Sequence, residues 1–321
     1  MRVLSGVQPS GALHIGNYFG AIRQFVAMQS EHDCYYFLAD LHALTTVQHA
    51  DRMRSLVREL AAGYLALGLD PVRSVIYRQS DLAEIPELTW YLSTVTSMGL
   101  LQRCHSFKDK VAQGMVPSHG LFSYPVLMAA DILIVRSDLV PVGKDQKQHL
   151  EVTRDIAASF HAAYGVEVFT IPAPMIRDEV AVVPGIDGQK MSKSYGNTID
   201  IFGSEKAIRK RIMSTVTDST PVEDPKPKKG SALYQLLKVF APASDQAWVE
   251  RAFAEGGTGY GDMKKRLFDY FVATFGDARG RYDELMEDPA EVDRILAAGA
   301  EKARETIAPL MDEVRRAVGI R

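Results

Sequence analysis

Two short segments carry residues whose types and order suit phosphate chemistry. The first is Gln8-Pro9-Ser10-Gly11-Ala12-Leu13-His14-Ile15-Gly16-Asn17, between an apolar run at Arg2–Val7 and an apolar periodicity that begins at Ile15. A strand that turns into a helix start offers unpaired N–H groups and a positive dipole end to a phosphate. Gly16 lets a flat ring or a phosphate approach the backbone. His14 and Asn17 can donate hydrogen bonds to charge growing on an α-phosphate. An ordinary strand-to-helix turn with a histidine at the helix entry fits the same residues. The second segment is Lys190-Met191-Ser192-Lys193-Ser194, preceded by Gly185-Ile186-Asp187-Gly188. Lysine is a compact point charge that can follow a phosphate as it moves. Hydroxyls and loop amides can complete the cage. By itself this segment also reads as a solvated basic loop. The two together, in this order, favour one joint site for a triphosphate.

Two further segments carry candidate binding groups. In Tyr124-Pro125-Val126-Leu127-Met128-Ala129-Ala130-Asp131-Ile132-Leu133, the residues Tyr124, Leu127, Met128, Asp131 and Ile132 recur at helical spacing. A carboxylate on an otherwise apolar face needs a partner, and a paired arginine would satisfy it as well as a ligand would. In Pro141-Val142-Gly143-Lys144-Asp145-Gln146-Lys147-Gln148-His149 the polar groups follow a strand end, where a ribose or an ammonium group could sit. Asp145 can accept from ribose hydroxyls and Gln146 can bind an ammonium, although a helix N-cap also explains Asp145. His42 follows a buried strand and suits either a pocket or a satisfied structural position. Lys108 and Lys110 could reach a leaving pyrophosphate, but a solvated charge run explains them better.

The elements that must hold these residues alternate. Arg2–Val7, Cys34–Ala39, Ser74–Tyr77, Leu139–Val142 and Glu167–Ile171 read as strands. Ile15–Gln29, Arg52–Leu67, Glu84–Cys104, Tyr124–Val135 and a stretch ending near Tyr164 read as helices. Strand and helix in alternation predict an α/β domain with a parallel sheet. After about Phe202 the strand signals fade. Glu205–Thr215, Ala232–Phe240, Asp262–Phe275 and Ala290–Val318 read as helices, the last with one apolar stripe of Val292, Ile295, Leu296, Ala303, Ile307, Leu310 and Val314. The expected organisation is a nucleotide-binding domain over residues 1–202 and a helical domain over 203–321, the last helix packing back on the first domain.

Composition narrows the class of function. With 46% hydrophobic residues the chain of 321 can bury a sizeable core, and no stretch is long and apolar enough for a membrane span. The N-terminus runs straight into a motif and leaves no room for a signal peptide. Two distant cysteines, Cys34 and Cys104, fit neither a disulfide framework nor a structural zinc site and suit a reducing cytoplasm. A net charge of −3 means that any nucleic-acid surface must be local. Candidates are Lys206, Arg209, Lys210 and Arg211 on one helix, and Lys226, Lys228 and Lys229 on a loop, where solvated surface reads equally well.

The two phosphate-handling segments resemble the HIGH-type and KMSKS signatures of class I aminoacyl-tRNA synthetases. The second is complete; the first has His14-Ile15-Gly16 with Asn17 in place of the final histidine, as is common in the branch for tryptophan and tyrosine. The internal segments are most similar to bacterial tryptophanyl-tRNA synthetases. The resemblance implies a Rossmann-like doubly wound catalytic domain that activates L-tryptophan with ATP and Mg²⁺, then passes it to tRNA(Trp), and a cytoplasmic homodimer. It implies that Gln8, Pro9, Ser10, Gly16, Asn17, Gly143, Lys144, Asp145, Val183 and Lys190–Ser194 contact ATP. His14, Asn17, Lys190, Lys193 and Ser194 would assist catalysis. Asp131 would accept the indole N–H and Met128 would pack on the ring. Tyr124, Gln146, His42 and Gln8 would complete the amino-acid pocket. Lys144 stands where the family usually has an acid. A tyrosine-activating enzyme, or a small-molecule adenylyltransferase with a HIGH-type motif, is the alternative implied function. No insertion is large enough for an editing domain.

Overall fold

The computed structural model describes residues 1–104, 112, 114, 118–143, 147–175 and 183–320. Five strands form one parallel sheet: β1 (Arg2–Val7), β2 (Asp33–Leu38), β3 (Ser74–Arg78), β4 (Leu139–Pro141) and β5 (Ala173–Met175), in the order β3-β2-β1-β4-β5. β1 and β2 pair from Arg2↔Asp33 to Val7↔Leu38. The order reverses beside β1, and in open parallel sheets ligands gather at such a switch point, off the carboxyl ends of the strands.

Side chains alternate across a strand, and here both faces are covered. Val3, Cys34, Tyr36 and Leu38 enter one apolar cluster with Ile15, Phe25, Leu60 and Tyr64. Leu4, Tyr35, Phe37 and Tyr77 enter the other with Leu88, Ile132, Phe160 and Leu310. That double burial is why β2 reads as a continuous apolar run rather than an alternating one. The helix after the first signature is not uniform: α1 (Ile15–Asn17) opens into a π-helical turn at Tyr18–Ile22 before α2 (Arg23–Met28). Such turns interrupt helices frequently at functional sites. A single turn, α3 (Asp40–Ala43), follows β2, and α4 (Ala50–Ala66) precedes β3.

Several boundaries differ from the sequence expectation. The helix expected over Glu84–Cys104 is two, α5 (Glu84–Val95) and α6 (Met98–Arg103), because Ser97 leaves the helical conformation and caps α6 by accepting from Leu100 N. Helix α7 spans His119–Ile134 and α8 spans Lys147–Tyr164. Glu167–Ile171 is not a strand. Phe169 N donates to His161 Nε2 at the end of α8, which ties this stretch to the helix. The strand forms at Ala173–Met175, and Pro174 is tolerated there because β5 lies on the sheet edge.

Helices α9 (Glu205–Met213), α10 (Ala232–Phe240), α11 (Gln246–Ala254), α12 (Tyr260–Glu287) and α13 (Pro289–Val318) complete the described chain. The sequence pattern predicts no helix at Gln246–Ala254 and ends the next one at Phe275. The extension is held by tertiary contacts: Arg279 donates to Ile201 O and Gly203 O, and Tyr282 stacks on Phe202 at 3.9 Å. Both apolar clusters combine residues from before and after residue 202.

Candidate active site

The two signatures, far apart in sequence, lie side by side. Ile15 N donates to Ile199 O at 3.0 Å and Ile201 N to Leu13 O at 2.9 Å, so the chain leaving Lys190–Ser194 runs along the chain entering α1. Lys193 Nζ lies 3.5 Å from Ser10 Oγ. Met191 is buried, with its sulfur 3.4 Å from the place a side chain on Gly16 would begin; that same position is 2.9 Å from His14 Nδ1. A side chain at 16 would crowd the His14 ring, two residues before it in the same signature.

His14 is 6% exposed, and its Nδ1 has no hydrogen-bond partner among the described residues. Burial, aided by the Lys193 charge, pushes its pKa down to about 4. At neutral pH it is an uncharged imidazole with one N–H to donate. Asn17 Oδ1 accepts from His14 N at 3.1 Å, which leaves its amide N–H groups for a ligand. Desolvation lowers the Lys193 ammonium below the ordinary lysine value, against the pull of Asp200 and Glu59.

The Lys190–Ser194 loop has an internal strut. Asn197 is buried; it accepts from Ser192 N at 2.8 Å and donates to Asp187 Oδ1 and to Lys190 O. Met191 N donates to Val183 O, and the hydroxyls of Ser192 and Ser194 lie 2.8 Å apart. Lys190 and Ser194 are exposed on the loop surface. Arg211 also braces the loop, donating to Thr198 O at 2.8 Å and to Gly196 O. Two of its five N–H donors are thus engaged on backbone carbonyls, which gives Arg211 a structural role in the loop. Lys226 is neither a surface contact nor solvated: it is 4% exposed and donates to the carbonyls of Pro221, Val222 and Asp224. Lys228 pairs with Glu250 at 2.6 Å. Arg209 lies over the Phe268 ring, and Lys206, Lys210 and Lys229 are exposed.

Next to the signatures, at the strand carboxyl ends, is a cavity of about 500 Å³. Gln8, His42, Tyr124, Met128 and Asp131 all line it, together with Phe37 and His149. Asp131 is 1% exposed on α7, and its partners are not an arginine. His42 Nε2 lies 2.9 Å from Oδ2, and Gln79 Nε2 lies 2.8 Å from Oδ1 and 2.9 Å from Oδ2. Burial raises the Asp131 carboxyl above its ordinary value, while bonds to His42 and Gln79 and the His42 charge oppose the rise. Gln79, Asn197 and His149 were not singled out from sequence. Gln79 had a usable signal, since it follows β3 directly at the end of the sheet where ligands gather. Gly143 is exposed just after β4. Lys108, Lys110, Lys144, Asp145 and Gln146 lie outside the described residues.

Residues 1–276 match the family described as tRNA synthetases class I (W and Y). The tryptophan–tRNA ligase of Rhodopirellula baltica is 51% identical over 321 residues, covering 100% of both chains. That of Campylobacter jejuni is 50% identical over 320 residues with the same coverage. The crystal structure of the Campylobacter jejuni tryptophanyl-tRNA synthetase, complexed with ADP and tryptophan, superposes with a TM-score of 0.95 over 99% of this chain and 100% of that one, at 50% identity. The Mycoplasma pneumoniae tryptophanyl-tRNA synthetase, at 27% identity, gives 0.81 over 99% and 97%. With its two signatures joined at the end of a parallel sheet and these full-length relatives, the chain belongs to the class I tRNA synthetases of the tryptophan and tyrosine group.

Proposed function

We propose that the chain is a tryptophan–tRNA ligase that works in two steps. The tryptophan carboxylate attacks the α-phosphorus of ATP; the new O–P bond forms as the bond to pyrophosphate breaks. A terminal ribose hydroxyl of tRNA(Trp) then attacks the activated carbonyl, and AMP leaves. The observation that carries the choice of amino acid is the buried Asp131 beside Met128 on the cavity wall. A buried indole N–H is a donor only and needs one acceptor. Two relatives at about half identity over the whole length bear the same activity in their names, which supports the reading.

No protein nucleophile is needed, so catalysis reduces to positioning and charge stabilisation. Neutral His14 and Asn17 face the α-phosphate as donors. Lys190, Lys193, Ser192 and Ser194 hold the leaving pyrophosphate, and the loop tightens as charge builds on it. Gln8, Pro9, Ser10, Gly16, Gly143, Lys144, Asp145, Val183 and Met191 contact the nucleotide. Tyr124, Gln146, His42 and Gln8 frame the tryptophan. The described residues bring together no cluster of three His, Cys, Asp or Glu side chains. Mg²⁺ bound with ATP would supply positive charge to offset that of the phosphates, beside Lys190 and Lys193.

Residues 1–202 form the catalytic unit and 203–321 the helical tRNA-binding part, whose last helix packs back on the catalytic sheet, with Lys206 and Lys210 as exposed cations for phosphate contact. The chain acts in the cytoplasm; both cysteines are free and buried, and no helix among the described residues is long and apolar enough to cross a membrane. It works as a homodimer, for which Trp90 and Met98, 70% and 63% exposed, supply apolar surface; sedimentation at micromolar concentration checks the pairing. Exchange of labelled pyrophosphate into ATP tests the central reading. Tryptophan should drive it, with tyrosine and a blank far below. Equal stimulation by tyrosine would sink it.

A further inference from the structure

We infer that Gln79 is a positioning residue for the amino-acid pocket, its side-chain amide holding Asp131 as an oriented acceptor that reads one N–H on the substrate's ring. The inference rests on the reading of Asp131 as the indole acceptor.

Gln79 is the first residue after β3 and is fully buried. Its amide is used at both ends. Oε1 accepts from Leu41 N at 3.1 Å and His42 N at 3.3 Å, the second and third residues of α3. Nε2 donates to both oxygens of Asp131 on α7. One side chain thus links β3, α3 and α7 at the cavity. It fixes His42 through the backbone and Asp131 directly, and these two groups lie 2.9 Å apart on the cavity wall.

The hydrogen-bond count makes the link specific. An ionised carboxylate offers about four acceptor positions. Three contacts occupy Asp131, two on Oδ2 and one on Oδ1. Among the described residues one position is left on Oδ1, the number an indole N–H needs. Because Nε2 donates to both oxygens, the carboxylate is held against rotation about its terminal torsion, which is otherwise soft. The donations also favour its charged form against burial, and a charged carboxylate accepts but cannot donate. Among the described residues, Asp40 and Tyr77 are the other ionisable groups that act on it, and neither donates to it. Without Gln79, His42 N and the carboxylate lose a buried partner, while Leu41 N keeps Asp40 Oδ1.

Gln79→Met keeps the bulk and removes the amide. The test measures calorimetric affinity for tryptophan and for 3-benzothienylalanine, whose sulfur replaces the indole N–H, with ATP affinity as the check on folding. Wild type should prefer tryptophan strongly. The variant should lose about 10- to 100-fold for tryptophan, the range for a hydrogen bond to a charged group, and little for the analogue. Its KM for tryptophan should rise more than its kcat falls. Equal losses for both ligands would make Gln79 a packing residue and overturn the inference. A wild type that does not separate the two ligands would refute the Asp131 reading itself, and this inference with it. Gln79→Glu gives a second arm: it keeps an acceptor for the Leu41 and His42 amides but sets a carboxylate against Asp131. The same selective loss is expected, and an unchanged preference overturns the proposal even where Gln79→Met does not fold.

Discussion

At the residue scale, the site depends on two groups whose surroundings set their charge. Asp131 stays useful because its buried carboxyl is surrounded by donors. Asp131→Ala should raise the KM for tryptophan by about 100-fold or more, the cost of losing a charged hydrogen bond in a dry site, and leave ATP affinity nearly unchanged. Parallel loss of both affinities in a binding assay would refute the pocket assignment. His14 is held neutral by burial, with a pKa near 4 against the ordinary 6.5. Between those values the unfolded chain binds a proton that the folded chain does not. Stability therefore rises with pH across this window, and it is lost as pH falls from 6.5 toward 4. Denaturant titrations of His14→Gln and wild type, compared from pH 7.5 down to 4.5, should show the smaller acid loss in the variant. Identical slopes would mean that His14 titrates normally.

At the scale of elements, the active site is made where loops leave parallel strands, but one helix contact far from it shows how tightly the sheet is covered. Gly299 on α13 sits against the backbone of Ile76 in β3; a Cβ there would lie 1.9 Å from the Ile76 carbonyl oxygen. In an exposed helix, alanine in place of glycine stabilises by roughly 1 kcal/mol through propensity. Here Gly299→Ala must push the helix off the strand, so the sign reverses to a loss of about 1–3 kcal/mol, the usual cost of overpacking. A raised melting temperature would refute the close approach. The β5 correction belongs to the same scale. Glu167–Ile171 has the better strand composition, yet Ala173–Met175 makes the ladder, since the bond from Phe169 to His161 uses the earlier backbone first.

At the scale of the whole molecule, the last helix is not a detachable appendage. Ala303, Ile307, Leu310, Met311 and Val314 complete the apolar cluster on one face of the sheet. Arg315 binds both oxygens of Glu87 on α5 at 2.8 and 2.6 Å, and Tyr35 on β2 bonds to Thr306. Removing residues 289–321 should therefore yield a chain that is insoluble or lacks near-ultraviolet circular dichroism, rather than an active catalytic core. A truncated chain that still exchanges pyrophosphate would show that the sheet can stand without this cover.

The sequence by itself determined the chemistry and the class of fold. The two signatures state their purpose through residue type and spacing, because phosphate handling needs lysines, hydroxyls and free amides on glycine-bearing loops. Alternating apolar runs announce a parallel sheet, since strands buried on both faces can hardly be polar. The helical apolar stripe of Val292–Val314 was legible for the same reason. What tertiary structure decided is who meets whom. Only the fold sets Lys193 beside Ser10, turns Arg211 and Lys226 inward onto backbone carbonyls, and brings Gln79 under Asp131. Those pairings join residues remote in sequence, and no local periodicity records which buried polar group will satisfy which. For the opening pair of segments, the sequence named candidate phosphate-handling residues, and only the fold laid the two side by side.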